Sequence, residues 1–291
     1  MLPSQLNNYK VYAMRKLAIG IICLGMFACQ SENKDKKNLD SATNADSGVA
    51  SDSLTYSYDS VKVVSKHVVS GEDRFSDTTK AVITFPKFQE TDLNKLVENR
   101  VCRNASTPDR SFKTYQELAN NFIKGFDDYL SYNEDNIQTW FMDVNVDVIS
   151  QNQELLALKF TQADYMGGAH PNSSFNYLNY DRKVKAVLTL DSILKPNTFS
   201  KLEAVAEQIF RKNEGLTPTQ SLAHAYFFDK DVFHLNSNFT LTNNGIEFLY
   251  NPYEIKPYVA GTTKLVIPYT EIKDLIKPNS IIYRLYNNAG I

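Results

Sequence analysis

Strict alternation is the clearest pattern in the chain. Trp140, Met142, Val144, Val146 and Val148 alternate with Phe141, Asp143, Asn145 and Asp147. After a turn at Gln151–Glu154, Leu156, Leu158 and Phe160 alternate with Ala157, Lys159 and Thr161. A period of two over this length predicts a hairpin with one face on a core and one face largely wet. Upstream, Val61, Val63, Lys66, Val68 and Val69 mark a strand over Tyr56–Ser70, and Ala81–Phe85 reads as a second strand ending at Pro86. Two helices follow. Leu93, Leu96, Val97, Arg100 and Val101 share one face of the first. In the second, Tyr115, Leu118, Ala119, Phe122, Ile123, Phe126, Tyr129 and Leu130 recur every three or four residues, behind a Thr114/Glu117 capping box.

Tyr165, Met166, Gly167, Gly168, Ala169, His170, Pro171 and Asn172 interrupt the pattern near the middle of the chain. Paired glycines reach positive φ at little cost, and Pro171 biases His170 toward extended backbone. This stretch reads as a strand connection where two halves meet. A strand resumes over Ser174–Asp181, then Leu188-Thr189-Leu190 and a short turn. A helix through Leu202, Val205, Ala206, Ile209 and Phe210 is expected to open at Ser200 with Glu203 and to close near Gly215. Residues 216–238 carry no clear period beyond a short helix. Phe239–Leu241 and Ile246–Tyr250 flank Asn243-Asn244-Gly245, a strong hairpin signal. Lys264–Ile267 is a further strand, and a short helix runs from Thr270 to Ile276. Hairpins and helices in mixed order predict an α+β fold of two sheet-plus-helix halves, residues 56–172 and 173–291.

The N-terminus changes the picture from fold to address. Met14-Arg15-Lys16 precedes an apolar run, Leu17–Ala28, too short to cross a bilayer, which takes roughly 20 residues. Ala28-Cys29 follows, so residues 1–28 read as a lipoprotein signal with Cys29 as the acylated first residue. Phe27 is large for such a cleavage site. Residues 29–55 are polar over most of their length and read as a flexible tether with a reach of roughly 30 Å. The expected location is the outer membrane of a Gram-negative bacterium, with the lipid bilayer as partner through Cys29. Cys23 leaves with the signal, and Cys102 stands alone as a small buried hydrophobe on a helix.

Without residues 1–28, which carry Lys10, Arg15 and Lys16, 28 basic residues face 33 acidic ones, a net charge of −5. That argues against nucleic acid as a partner and suits a basic protein better. None of the four histidines sits in a His-x-x-x-His pair, and no Gly-x-Ser-x-Gly elbow, phosphate loop or dinucleotide fingerprint is present. No metal site or cofactor is expected. His170 with Asp164 would become a metal site only if the fold brought His224 or Glu254 near. Asp143, Asp147 and Glu254 are the carboxylates to inspect for glycoside chemistry; on a strand, the two aspartates read as a solvated face. Catalytic residues are not identified. The stretch Tyr250–Tyr258, with Pro252, Tyr253, Glu254 and Pro257, cannot be a regular central strand. It offers rigid apolar surface with polar tips, suited to binding, or it packs down as a loop.

Two motifs together carry a resemblance. One is Tyr165-x-Gly167-Gly168-Ala169-His170-x-Asn172. The other is Phe239-x-Leu241-Thr242-x-x-Gly245-x-x-Phe248-x-Tyr250-x-Pro252-Tyr253-Glu254-Ile255-x-Pro257-Tyr258-x-x-Gly261, with Leu188-Thr189-Leu190-Asp191 between them. The chain resembles the paired domains of unknown function in the extracellular part of the lysozyme-sensing anti-sigma factor RsiV and in the non-catalytic part of the peptidoglycan deacetylase PdaC. The likeness spans roughly residues 56–276. It implies an extracellular module that binds lysozyme. The output segments of both relatives are expected to be missing: at most 16 residues precede the apolar run, and no room for a catalytic domain follows Ile276. Gly167, Gly168, His170, Pro252, Tyr253, Glu254 and Tyr258 are the candidate binding residues. The partner is lysozyme or peptidoglycan; the alternative is an enzyme acting on cell-wall glycan or peptide.

Overall fold

In the computed structural model, residues 53–70, 76–133 and 138–286 are described. The expected signal, Cys29 and nearly all of the tether lie outside them. The first sheet has six strands in chain order: β1 (Tyr56–Ser70), β2 (Ser76–Phe88), β3 (Phe141–Gln151), β4 (Leu155–Tyr165), β5 (Asn172–Asp181) and β6 (Ala186–Val187). All neighbours are antiparallel except β2 and β3. A parallel pair needs a crossover, which α1 (Thr91–Ala105) and α2 (Tyr115–Leu130) supply. Leu93, Val97 and Val101 of α1 and Leu118, Ala119 and Ile123 of α2 pack on Ile83, Val144, Val146, Leu156 and Leu158 to make the first core. The Thr114 side chain accepts from the Glu117 amide; Glu117 in return bonds the amide of Lys113, one residue short of a full capping box.

β2 runs past Pro86, where the sequence predicted a stop. Over that part β2 pairs only with β1, because the β2–β3 register ends at Thr84. A proline without an N–H is tolerated where its donor side has no strand to serve. The tether also ends earlier than expected. Leu54 is buried, and its backbone N–H and C=O are both bonded by the Gln151 side chain.

The second core forms around a three-stranded antiparallel sheet: β7 (Phe239–Leu241), β8 (Gly245–Tyr250) and β9 (Thr263–Pro268). Four helices accompany it: α3 (Leu190–Ile193), α4 (Phe199–Asn213), α5 (Tyr269–Ile272) and α6 (Ile281–Tyr286). α4 is capped differently from the sequence expectation. Its N-cap is Thr198, whose hydroxyl bonds Lys195 O, while Glu203 accepts from the Leu235 amide 32 residues away. Gly245 does not serve the hairpin through positive φ. A Cβ there would sit 2.1 Å from Ile267 O, so β9 can approach only a glycine.

β4 is where the two cores meet. Leu156, Leu158 and Phe160 enter the first, while Leu155 and Ala157 enter the second. The face predicted to be wet is therefore dry at the start of β4, because the second sheet covers it. β5 pairs with β4 over ten positions, so the boundary expected at 172/173 falls at the start of a strand of the first sheet. All described residues belong to one compact unit, Ala50–Ile291.

Asparagine side chains join the two sheets. Asn238 accepts from the Tyr177 amide and donates to Phe175 O, and Asn251 accepts from the Phe175 amide at 2.6 Å. These bonds satisfy the free edge of β5. In return Asn179, 2% exposed, donates to Phe239 O and accepts from the Leu241 amide and the Thr240 hydroxyl, closing the free edge of β7. Open strand edges are thus satisfied by side chains in place of another strand.

Candidate functional site

The loop between β4 and β5 projects from this junction. Gly167 (φ +96°) and Gly168 (φ +106°) hold conformations that residues with a Cβ rarely adopt, although a Cβ at either would meet nothing within 4 Å. The requirement is therefore conformational, and no packing demands it. The Tyr165 hydroxyl lies 2.9 Å from Gly168 O and 2.6 Å from Gln138 Oε1, which pins the loop to the sheet end.

The second loop, after β8, is anchored from below. Ile255 is buried, its carbonyl accepts from the Phe227 amide, and Lys256 pairs with Glu214 at 2.7 Å. Glu254 accepts from the Asn251 amide and from Asn236 Nδ2, so its carboxylate is spent on holding the loop. Tyr250 is a core residue, 1% exposed, with its hydroxyl bonded to His234 O. Tyr253 differs: it sits at φ +66° and is 57% exposed.

The two loops meet at His170. Its ring stacks on Tyr258 with centroids 3.9 Å apart and planes 14° from parallel. Nδ1 lies 2.9 Å from Pro171 O and Nε2 3.2 Å from the Tyr253 hydroxyl. A neutral imidazole protonated at Nδ1 satisfies both contacts, donating to the carbonyl and accepting from the phenol. The Tyr258 hydroxyl also donates to Pro171 O at 3.0 Å, and the Tyr253 and Tyr258 rings lie 5.5 Å apart. Two segments 83 residues apart thus form one surface of three rings with polar tips, beside Val259, which is 93% exposed.

Of the sequence candidates, Gly167, Gly168, His170, Tyr253 and Tyr258 come together in or beside this surface. Pro252 and Glu254 shape the loop beneath it. Asp164 bonds Gln162 and Asn172, and no group of three or more His, Cys, Asp or Glu suited to a metal occurs among the described residues. Asp143 and Asp147 are exposed on β3. Cys102 is buried, and burial pushes its thiol up to about 11, which suits packing and not nucleophilic use. Sequence reasoning missed Asn236, Asn238 and Asn251, which position the second loop and the junction. The only signal was a run of asparagines beside strand ends.

Comparison with known proteins follows this division. Residues 73–173 match the family model described as deacetylase PdaC, and residues 191–270 match that of a protein of unknown function (DUF3298). The chain resembles these two domains in tandem. The PdaC match ends where β5 begins and the DUF3298 match starts at α3, so the two motif loops fall one in each. Peptidoglycan-N-acetylmuramic acid deacetylase PdaC of Bacillus subtilis is 25% identical over 143 residues, 48% of this chain and 30% of that protein. Immunogenic protein MPT64 of Mycobacterium tuberculosis is 22% identical over 116 residues, 38% of this chain and 47% of that protein. The chain thus spans less than half the length of these curated relatives. A crystal structure of a DUF3298 family protein from Pseudomonas aeruginosa PAO1 superposes with TM-score 0.63 at 21% identity, covering 78% of this chain and 95% of that one. A DUF3298 family member from Bacteroides fragilis gives 0.61 at 19%, covering 79% and 96%. These structures share the α+β fold.

Proposed function

We propose that this chain is a binding module of the bacterial envelope, held at the outer membrane by an acylated Cys29. On this reading it takes lysozyme, or another cell-wall-related ligand, on the surface built by His170, Tyr253 and Tyr258. The observation that carries the reading is the stack itself. Three rings from two distant loops are held in a fixed geometry at the surface, and rigid aromatic groups with polar tips lose little entropy on binding. The net −5 of the chain after residue 28 is compatible with a basic partner such as lysozyme. The likeness to a protein named for a peptidoglycan reaction supports a cell-wall setting.

Immobilised protein should retain lysozyme in a pull-down and inhibit it. Tyr258→Ala, which removes the ring under His170, should weaken capture by roughly 30-fold, the equivalent of about 2 kcal/mol for a central aromatic anchor. Absence of binding at about 50 µM lysozyme, where an interaction worth about 6 kcal/mol is half-saturated, sinks the lysozyme version. Co-sedimentation with peptidoglycan sacculi then tests the glycan version, and release of soluble fragments from those sacculi would move the reading to an enzyme.

A further inference from the structure

Away from the aromatic surface, the two cores adjoin along the edge formed by β5 and β6. A cavity of about 410 Å³ opens there, lined by Arg100, Tyr177, Leu188, Leu190, Asp191 and Phe199 among others. That is within the range of about 300–1,000 Å³ typical of small-ligand sites, which favour such junctions. Two apolar side chains flank it in contact with solvent, Val187 (42% exposed) and Phe199 (40%).

Arg100 is the anomaly. It projects from α1 on the face that packs toward the sheet, and its Nε is buried with no hydrogen-bond partner among the described residues. Its electrostatic neighbour is another cation, Arg103, and burial together with that neighbour lowers its pKa. A guanidinium with its Nε out of water ordinarily meets a carboxylate or a set of acceptors. Here no acceptor among the described residues meets that Nε, and the side chain lines the open cavity.

We propose that this cavity is a binding site for a monocarboxylate with an apolar body, its carboxylate on Arg100 and its body against Leu188, Leu190 and Phe199. One guanidinium balances one negative charge in a bidentate pair. Asp191, also at the cavity, disfavours a dianion such as phosphate. A fatty acid and the C-terminal residue of a peptide share the required chemistry. The proposal does not rest on the His170–Tyr258 surface, which belongs to other loops.

Calorimetric titration of the full chain tests it with two probes, decanoate and an N-acetylated dipeptide acid ending in leucine. Each is compared with its uncharged counterpart, decanol or the dipeptide amide. Saturable binding of at least one acid is expected, weakened about tenfold or more in the neutral counterpart and in Arg100→Gln, with Arg100→Lys between. Decanoate alone binding identifies a lipid-derived ligand, and the peptide acid alone identifies a peptide terminus. Tyr258→Ala should bind the acid like the parent chain, which separates this site from the one proposed above. Arg100→Gln should leave the unliganded melting temperature unchanged or raise it, because no bond is lost. No saturable binding of either acid, or equal binding by Arg100→Gln, overturns the proposal. So does a fall in melting temperature of Arg100→Gln without loss of acid binding, which would make Arg100 a packing residue.

Discussion

Asn179→Leu tests whether the two sheets are joined as described. The carboxamide is 2% exposed, and its three partners all lie on β7: Phe239 O at 2.8 Å, the Thr240 hydroxyl at 3.0 Å and the Leu241 amide at 3.3 Å. Leucine keeps the branching but can neither donate nor accept. The Thr240 hydroxyl is free to rotate, whereas the carbonyl and the amide are fixed and remain buried. Two unsatisfied backbone groups at about 1–3 kcal/mol each, less the gain from added apolar surface, give a net loss of about 3 kcal/mol. For a domain of this size that lowers the melting temperature by about 6–12 °C. Urea unfolding followed by fluorescence measures the loss directly, and the slope with denaturant should not change, since the same surface is exposed on unfolding. Thr240→Val is the control: it removes one partner that can be spared, and about 1 kcal/mol or less is expected. If Asn179→Leu is within 1 kcal/mol of the parent, the amide does not hold β7 to the first sheet, and the account of the junction fails.

Three further outcomes follow from burial and charge. Burial keeps the phenols of Tyr115, Tyr250 and Tyr269 protonated above the usual tyrosine range and pushes Tyr226 up to about 12. Above about pH 10 the unfolded chain loses these protons first, so from that point their contribution makes stability fall as pH rises. Each of the three most buried phenols steepens the fall by about 1.4 kcal/mol per pH unit; denaturant melts that are unchanged between pH 8 and 11 contradict this. Cys102, with its thiol held near 11, should resist iodoacetamide at pH 8 in the folded chain and react fully in urea, as read by mass mapping of its peptide. Arg284→Met removes the cation from the buried carboxylate of Asp181, which keeps the Lys183 and Val184 amides on Oδ1, and frees Glu154; it should cost about 3 kcal/mol in a urea melt. A neutral result there would mean that α6 is held by its packing, through Ile281, Ile282 and the Tyr286 ring against Tyr269.

Much of the fold was legible because its signals are local. Alternation in β3 and β4, the three-and-four spacing of α1, α2 and α4, and the Asn243–Gly245 turn each follow from a few neighbouring residues. What misled was the presence or absence of a neighbour from elsewhere in the chain. Ser200 with Glu203 had the spacing of a cap, but Glu203 is taken by the Leu235 amide. Pro86 looked like a strand end, and is not one because its donor side faces no strand. α6 gave no periodic signal in six residues, yet Arg284 ties it to Asp181 and Glu154, more than 100 residues upstream.

The sequence by itself determined the α+β class, most element positions, the two motif loops and the resemblance, because each rests on residues close in the chain or on a pattern of residue types. Only the tertiary structure decided that β4 feeds two cores, that asparagines satisfy the edges of β5 and β7, and that His170 stacks on Tyr258. Those facts depend on which segments are brought within hydrogen-bond or van der Waals reach across 60 to 90 residues, and spacing along a chain does not encode that distance. The same reason makes Tyr250 and Tyr253, three residues apart, a core residue and a surface residue.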